Sequence, residues 1–192
     1  MNNTLRPALV LFLLLSLITG VVYPLATTGV ARLAFPNQAA GSLVERDGKV
    51  VGSTLIGQSF SDPKYFWSRP SATSPMSNNA GSSSGSNLGP SNPALVDAVK
   101  GRIAALRAAD PGNTAPIPVD LVTASASGLD PEISLAAAQF QAARVARVRG
   151  LPVERVRALI GERARGTLLA FLGEPRINVL ELNLALDALG KT

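Results

Sequence analysis

The sequence predicts an α+β protein in which one N-terminal transmembrane helix precedes a small domain of mixed helices and strands. Two patterns support this: an uncharged apolar stretch over residues 7–31, and short strand-like runs followed by amphipathic helix patterns. The length of 192 residues also suits one ordinary domain and an anchor rather than two sizeable cores. The predicted boundaries are a short tail over residues 1–7, a membrane helix over 8–30 and a domain over 38–192.

The apolar stretch is long enough to cross a bilayer. A hydrocarbon core of about 30 Å requires roughly 20 helical residues at about 1.5 Å each, and the uncharged run between Arg6 and Arg32 is longer than that. A cleaved signal peptide, the alternative, has an apolar region of only about 7–15 residues. We therefore expect a retained anchor. Basic residues flank the stretch on both sides, so the charges leave its orientation open.

Small residues in the anchor form a candidate interface with other membrane helices. Helices in lipid associate by close packing at small side chains, because burial from water no longer drives them together. Gly20 follows Ser16 by four residues and is therefore expected on the same helix face. The candidate membrane interface consists of Ser16, Thr19, Gly20 and Thr27.

Two short strands and an aromatic cluster are predicted after the anchor. Asp47-Gly48 separates two strand-like runs, and an Asp-Gly pair there favours a type I′ hairpin. The cluster at residues 65–67 contains the only tryptophan and is more typical of a core than of a ligand cage. Residues 71–93 form a polar loop, since 18 of these 23 residues are Ser, Asn, Gly or Pro. A loop of that length is usually functional or mobile.

Four helices and one further strand are predicted after the loop. Asn92-Pro93 is typical of a helix start and predicts a helix over residues 94–109. A short strand is expected at residues 119–123, and Asp130-Pro131 predicts the start of a second helix. Asn178 is expected to open the last helix and Gly190 to end it. The apolar faces of the four helices, in chain order, are Leu95, Val99, Ile103 and Leu106; Ile133, Ala137 and Phe140; Val153, Val156, Leu159 and Ile160; and Val179, Leu182, Leu186 and Leu189.

The basic charge is concentrated in one segment, where seven arginines and two glutamates account for the whole net charge of +5. Such a patch suits an acidic protein, acidic lipid headgroups or nucleic acid, although two solvated helix faces are the simpler explanation. No aromatic residues alternate with the arginines to stack on bases, so nucleic acid is not an expected partner. The arginines are Arg144, Arg147, Arg149, Arg155, Arg157, Arg163 and Arg165.

The composition excludes several kinds of catalytic site. The chain has no histidine and no cysteine, which removes His-dependent triads, thiol chemistry and most zinc sites. Gly81, Gly85 and Gly89 precede a helix but lack the Gly-Lys-Ser/Thr of a phosphate-binding loop. We expect no catalytic centre, cofactor or metal site. A Ser-Lys dyad is the remaining nucleophilic option, with Lys49, Lys64, Lys100 and Lys191 as candidate bases.

Several stretches along the chain form a specific set of motifs. They are Thr19-Gly20 with Tyr23-Pro24-Leu25, then residues 37–43 (NQAAGSL), 55–60 (LIGQSF), 65–72 (YFWSRPSA), 86–93 (SNLGPSNP), 118–125 (PVDLVTAS), 127–131 (SGLDP) and 173–180 (GEPRINVL). In this order they resemble the C subunits of the Kdp-type, ATP-driven potassium transporters of bacteria. The resemblance covers nearly the whole chain.

The resemblance implies a non-catalytic accessory subunit of a high-affinity potassium-uptake complex in the bacterial inner membrane. Its implied partners are a channel-like potassium-translocating subunit, a P-type ATPase subunit and a very small single-span subunit, besides membrane lipid. It implies that the subunit stabilises assembly and acts as a catalytic chaperone that raises the ATP affinity of the ATPase subunit. It also implies a cytoplasmic N-terminus and a periplasmic, extracytoplasmic domain over residues 38–192.

Two other classes of function stay open at this point. A membrane-anchored Ser-Lys hydrolase needs a titratable lysine beside a serine, and a periplasmic binding module for small ligands needs an apolar pocket. The chain also departs from the family pattern, in which a histidine often replaces Glu132 and Val-Pro often replaces Ala142-Ala143. A role that depends on that histidine or on a kink there is therefore not expected.

Overall fold

The computed structural model describes residues 4–166 and 173–189. The chain divides into two compact units, Met1–Val51 and Gly52–Thr192. The first contains an apolar helix and most of a hairpin, and the second contains helices together with short strands. This confirms the predicted α+β class with one N-terminal apolar helix.

The first unit begins with one continuous helix over Leu5–Ala34. It consists of α1 (Leu5–Leu17), a π-helical turn (Ile18–Val22) and α2 (Tyr23–Ala34). At about 1.5 Å per residue its 30 residues extend about 45 Å, more than a bilayer core of about 30 Å requires. The helix is therefore long and apolar enough to span a membrane.

The π-helical turn is explained by Pro24. A proline inside a helix lacks an N–H, and its ring collides with the carbonyl group four residues earlier, here that of Gly20. The wider turn immediately before Pro24 relieves this collision. Its hydrogen bond runs from the Tyr23 N–H to the Ile18 carbonyl oxygen, five residues back.

A β-hairpin follows the apolar helix. After the short helix α3 (Pro36–Ala39), strand β1 (Leu43–Arg46) pairs with β2 (Lys49–Ser53). Asp47 and Gly48 have φ angles of 53° and 74°, and a type I′ turn requires positive φ at both central positions. The predicted hairpin is confirmed.

The second unit is organised around α5 (Leu135–Arg149), α6 (Val153–Arg163) and α7 (Val179–Leu189). Strands β3 (Glu132–Ser134) and β4 (Arg176–Asn178) form an antiparallel pair, and each leads directly into a helix, α5 or α7. The pair therefore fixes the N-termini of two core helices beside each other. The core includes the fully buried side chains of Ile133, Val145, Val156, Ile160, Ile177, Leu182 and Leu186.

The helix ends of this unit follow local capping rules. Gly150 ends α5 with a left-handed φ of 66°, and the Leu151 N–H donates to the Ala146 carbonyl oxygen at 2.9 Å, which completes a Schellman motif. Asn178 caps α7 as predicted, because its side-chain oxygen accepts a hydrogen bond from the Glu181 N–H at 3.1 Å. The predicted C-cap of α7, Gly190, lies outside the described residues.

Helix α4 (Pro93–Ala109) also begins as predicted. The Asn92 side-chain oxygen accepts a hydrogen bond from the Ala94 N–H at 3.0 Å, so Asn92 is the N-cap. The predicted apolar face is covered unevenly, since Leu106 is buried but Ile103 remains 38% exposed.

The strand predicted at residues 119–123 is wrong. Val119–Leu121 is a 3-10 helix, and the Val122 N–H donates three residues back at 3.1 Å. The β-branched residues favoured a strand, but the Asp120 carboxylate between them accepts hydrogen bonds from the N–H (2.7 Å) and the hydroxyl (3.2 Å) of Ser134. These contacts hold the segment as a turn.

The helix predicted to start at Asp130-Pro131 begins later, at Leu135. Ser134 is the N-cap, since its hydroxyl accepts a hydrogen bond from the Ala137 N–H at 3.0 Å. Residues 132–134 form β3 instead, because they pair with a segment more than 40 residues further along the chain. Local cap patterns do not reveal a pairing of that range.

The polar loop over residues 71–93 is fixed by hydrogen bonds, and before α4 begins at Pro93 its regular structure is limited to a 3-10 turn at Ala80–Ser82. The Ser71 hydroxyl donates to the Gly128 carbonyl oxygen at 2.7 Å and accepts from the Asn78 N–H at 2.9 Å. A side-chain carbon at Gly128 would lie 2.5 Å from the Thr73 methyl group. The loop therefore packs closely against a second polar segment of the same unit.

Candidate functional site

The four residues of the predicted membrane interface all lie exposed on the apolar helix. The Thr19 hydroxyl donates to the Leu15 carbonyl oxygen at 2.7 Å, and the Thr27 hydroxyl donates to the Tyr23 carbonyl oxygen at 2.9 Å. These bonds satisfy both hydroxyl protons inside the helix. Thr19 and Thr27 can therefore meet lipid or another helix without exposing an unpaired donor.

Gly20 lies inside the π-helical turn, and Ser16 lies just before it. A π turn contains more residues than an α turn, so positions four residues apart across it lie more nearly in line. A side-chain carbon added at Gly20 would meet nothing within 4 Å in this chain. The surface at Gly20 is thus open to the approach of a neighbouring helix.

In the second unit, buried polar side chains surround the aromatic segment, Tyr65–Trp67. Asn183 on α7 accepts from the Phe66 N–H at 2.9 Å and donates to the Phe66 carbonyl oxygen at 3.0 Å. Gln141 on α5 accepts from the Trp67 N–H at 2.8 Å and donates to the Trp67 carbonyl oxygen at 3.2 Å. We call Gln141 and Asn183 the amide clamp. It supplies the backbone partners that a neighbouring strand would otherwise supply.

Arg144 lies on α5, as Gln141 does, and adds further contacts with the segment that the amide clamp binds. It is only 2% exposed, and its guanidinium donates to the carbonyl oxygens of Pro63 and Tyr65 (3.1 Å to Tyr65) and to the Gln141 side chain at 2.7 Å. It also lies 4.7 Å from the centre of the Trp67 ring, a cation–π contact. Burial lowers the pKa of Arg144 to about 10, and the nearby Asp110 charge partly opposes that effect. The group therefore stays protonated at neutral pH.

Arg149, five residues further along α5, holds the other end of the aromatic segment. It donates to the Lys64 carbonyl oxygen at 2.8 Å and to the Asp187 carboxylate at 2.7 Å, and it lies 4.8 Å from the centre of the Tyr65 ring. The Tyr65 hydroxyl also donates to Asp187, at 3.3 Å. Helices α5 and α7 are therefore joined through the aromatic segment.

The predicted basic patch is divided by the fold. Arg144 is buried and Arg149 is largely so, which excludes them from a solvated helix face. On α6, Arg155, Arg157 and Arg163 are exposed, as the prediction of an outward-facing third helix requires. The patch available to a partner is thus smaller than the sequence indicated.

Two of the candidate groups, Lys64 and Gly85, lie in structural roles, and Lys49 and Lys100 are exposed. Lys64 pairs with Asp62 at 2.9 Å, and the hydrogen bond that it donates to that carboxylate raises the pKa of Lys64, whereas a lysine base needs a lowered pKa. A side-chain carbon at Gly85 would lie 2.8 Å from the Ala126 carbonyl oxygen, so this glycine permits close packing of the loop. Within the described residues no group of three or more His, Cys, Asp or Glu side chains could hold a metal ion. Lys191 lies outside those residues.

The sequence contained a signal for the amide clamp that the predictions did not use. Gln141 follows Ala137 by four residues and Asn183 follows Val179 by four, so both amides lie on the apolar stripes of their helices. A polar side chain on a buried stripe must find a hydrogen-bond partner. The pattern therefore indicated buried polar contacts, although the partner segment lies more than 70 residues away.

Comparison with known proteins places the chain among bacterial transport proteins. A family model described as "KdpC: K+-transporting ATPase, c chain" matches residues 5–188. The chain is 71% identical over 189 residues to the "Potassium-transporting ATPase KdpC subunit" of Polaromonas naphthalenivorans, covering 98% of this chain and 96% of that relative. Relatives with the same description are 69% identical in Variovorax paradoxus (98% and 97% covered) and 64% identical in Methylococcus capsulatus (98% and 100% covered).

Proposed function

The chain belongs to the KdpC family of K⁺-transporting ATPase c chains, and on that premise we propose that it is a non-catalytic accessory subunit that stabilises the assembled potassium-uptake complex. The observation that carries this proposal is the helix over Leu5–Ala34, whose most apolar 18-residue window has none of its residues buried within the chain. An apolar surface of that size must be covered by lipid or by other proteins. A subunit of a membrane complex is surrounded by both lipid and other proteins.

The partners that we propose are the other Kdp subunits: the channel-like potassium-translocating subunit, the P-type ATPase subunit and the small single-span subunit. Within the membrane the contact would use Ser16, Thr19, Gly20 and Thr27. Packing at small side chains is the main source of attraction between helices in lipid, and the satisfied hydroxyls of the two threonines add no desolvation cost there.

Substitution at Gly20 tests this interface. Gly20→Leu adds a side chain whose first carbon meets nothing within 4 Å in this chain, and this side chain would hold a neighbouring helix away. Leu13→Ala, on the same apolar helix, is the control. We expect the yield of Kdp subunits that co-purify in detergent to fall markedly for Gly20→Leu and little for Leu13→Ala. If the complex stays intact with Gly20→Leu but is lost when residues 38–192 are removed, the interface lies outside the membrane.

We further propose that the N-terminus is cytoplasmic and that the domain over residues 38–192 is periplasmic, as the family resemblance implies. The chain has no cysteine, so a single introduced thiol is unique. On intact spheroplasts an impermeant thiol reagent should label Ser83→Cys, which is in the exposed part of the polar loop. Thr4→Cys, at the other end of the apolar helix, should react only after lysis. The reverse pattern would contradict this orientation.

A catalytic-chaperone role belongs to the same proposal. With the domain in the periplasm and ATP in the cytoplasm, any effect on ATP affinity must be a coupling transmitted through the membrane helix. In a Gly20→Leu complex that is held together by cross-linking, the ATP concentration for half-maximal hydrolysis should then be higher than in the unmodified complex. An unchanged value would separate the assembly role from the chaperone role and leave only the first.

A further inference from the structure

A pocket of about 290 Å³ in the second unit lies between helix α4 and the chain around the aromatic segment. Its volume is just below the roughly 300–1,000 Å³ typical of small-molecule sites, so it suits a compact ligand. Phe60 and Trp67 contribute apolar surface to it, and Arg69 and Arg102 bring two guanidinium groups. None of its lining residues is acidic. The pocket is therefore both positively charged and partly apolar.

Arg102 brings a charge that no described acidic side chain neutralises. Its Nη1 donates to the Val122 carbonyl oxygen at 2.8 Å, which occupies one of the five N–H donors of a guanidinium. Burial lowers the pKa of Arg102, as expected for a cation that has lost water without gaining a counter-charge. Its other donors have no acceptor among the described residues and can bind an anion.

Arg69, on the same pocket, is incompletely satisfied. Its Nη1 donates to the Asp130 carboxylate at 2.9 Å, but its Nε is buried and has no acceptor among the described residues. Two guanidinium groups against the one carboxylate of Asp130 leave a net positive charge. At the edge of the pocket, Ser59 accepts a hydrogen bond from Asn78 at 3.2 Å, so its own proton is available to a ligand.

From this arrangement we infer that the pocket binds a small organic anion, a carboxylate or phosphate group on a compact apolar body. The planar guanidinium of Arg102 matches the two oxygens of a carboxylate or phosphate. The rings of Phe60 and Trp67 contact the apolar body. This binding site is independent of the proposed membrane interface and requires no partner subunit.

Titration of the full chain in detergent with benzoate tests this inference. Benzoate combines a carboxylate with a flat apolar ring, and Trp67, the only tryptophan, lies on the pocket and reports binding by its fluorescence. We expect saturable binding of benzoate, at least about tenfold weaker binding of neutral benzyl alcohol, and about a tenfold loss of benzoate affinity in Arg102→Gln. Inorganic phosphate is titrated in parallel, and its saturable binding would identify the anionic group alone as sufficient.

Lys100→Gln is the matched control, because Lys100 is an exposed cation on α4 that does not line the pocket. It removes the same charge and should leave benzoate affinity unchanged. Equal affinity for benzoate and benzyl alcohol in the unmodified chain would overturn the inference without any variant. An equal loss of benzoate affinity in Arg102→Gln and Lys100→Gln would also overturn it. So would the absence of saturable binding of both benzoate and inorganic phosphate.

Discussion

Helices α5 and α6 are adjacent in sequence and both carry three arginines, but the fold uses the two sets differently. On α5, Arg144 and Arg149 point into the protein and bind backbone carbonyl groups. On α6, Arg155 and Arg163 are exposed and form no ion pair with any described residue. The density of arginine therefore does not show how much positive charge a partner could reach.

The difference follows from what each helix faces. Helix α5 faces the chain at residues 63–67, whose backbone groups have no described strand beside them and must be satisfied by side chains. A guanidinium has five donors and can satisfy several carbonyl groups at once. The charged face of α6 meets solvent, where an arginine has no such role.

The largest effect is expected for Arg144→Met. The substitution removes three hydrogen bonds that Arg144 donates, to the carbonyl oxygens of Pro63 and Tyr65 and to the Gln141 side chain. At about 1 kcal/mol each, the free energy of unfolding should fall by about 3 kcal/mol. Urea unfolding of the full chain in mild detergent, followed by circular dichroism, measures it. Arg155→Met, the same change on α6, is the control. Equal midpoints for the two variants would remove the distinction between the helices.

Asn183→Leu should have the second largest effect on the free energy of unfolding. It keeps the branching and the number of heavy atoms of the side chain but leaves the N–H and the carbonyl oxygen of Phe66 unpaired in the core, so we expect a loss of about 2 kcal/mol. Asn183→Asp keeps the acceptor and loses the donor, and its smaller loss in the same unfolding experiment would assign the effect to the two bonds. A larger loss for the aspartate would instead indicate the cost of burying a charge.

Arg147→Gln sharpens the comparison within α5, because Arg147 is on the outer side of this helix. Its side chain is 58% exposed, but its partner Asp110, 2.8 Å away, is 5% exposed. Removing Arg147 leaves that buried carboxylate without its ion-pair partner, so we expect a loss of about 1 kcal/mol. Because the pair is accessible to ions, 1 M salt should reduce the difference from the unmodified chain. A salt-independent difference would contradict this explanation.

The smallest effect is expected on α6. The double variant Arg155→Gln, Arg163→Gln should change the free energy of unfolding by no more than about 0.5 kcal/mol, since neither side chain has a partner among the described residues. The same variant should leave the yield of co-purified Kdp subunits unchanged if the contact is in the membrane. A reduced yield with unchanged stability would identify α6 as a surface that a partner contacts.

The sequence predicted elements whose determinants are local. Asp47-Gly48 was enough to predict the hairpin turn and Asn92-Pro93 the start of α4, because the residues that make these contacts are close in sequence. The pairing of β3 with β4 has no local signal, so the start of α5 was misplaced. The strand predicted at residues 119–123 was wrong because Asp120 binds Ser134, 14 residues further along the chain. These errors occur where a side chain or strand from elsewhere decides the conformation.

The same limit applies to the candidate sites. The apolar helix follows from composition and length, whereas the pocket at Arg102 brings together residues from five separate segments. Its lining has no periodic pattern that a sequence could display. Arg144 illustrates the point most directly: in sequence it resembles its exposed neighbours, and only the carbonyl groups of a segment about 80 residues earlier distinguish it.

The amide clamp also has a consequence for aggregation. Three consecutive aromatic residues with high β-propensity form the kind of segment that, with free backbone groups, recruits a strand from another chain. Here the amides of Gln141 and Asn183 occupy both backbone groups of Phe66 and Trp67. The folded domain therefore keeps an aromatic segment without offering its backbone as an open edge. A chain that has lost either amide should associate with itself before it loses its helices.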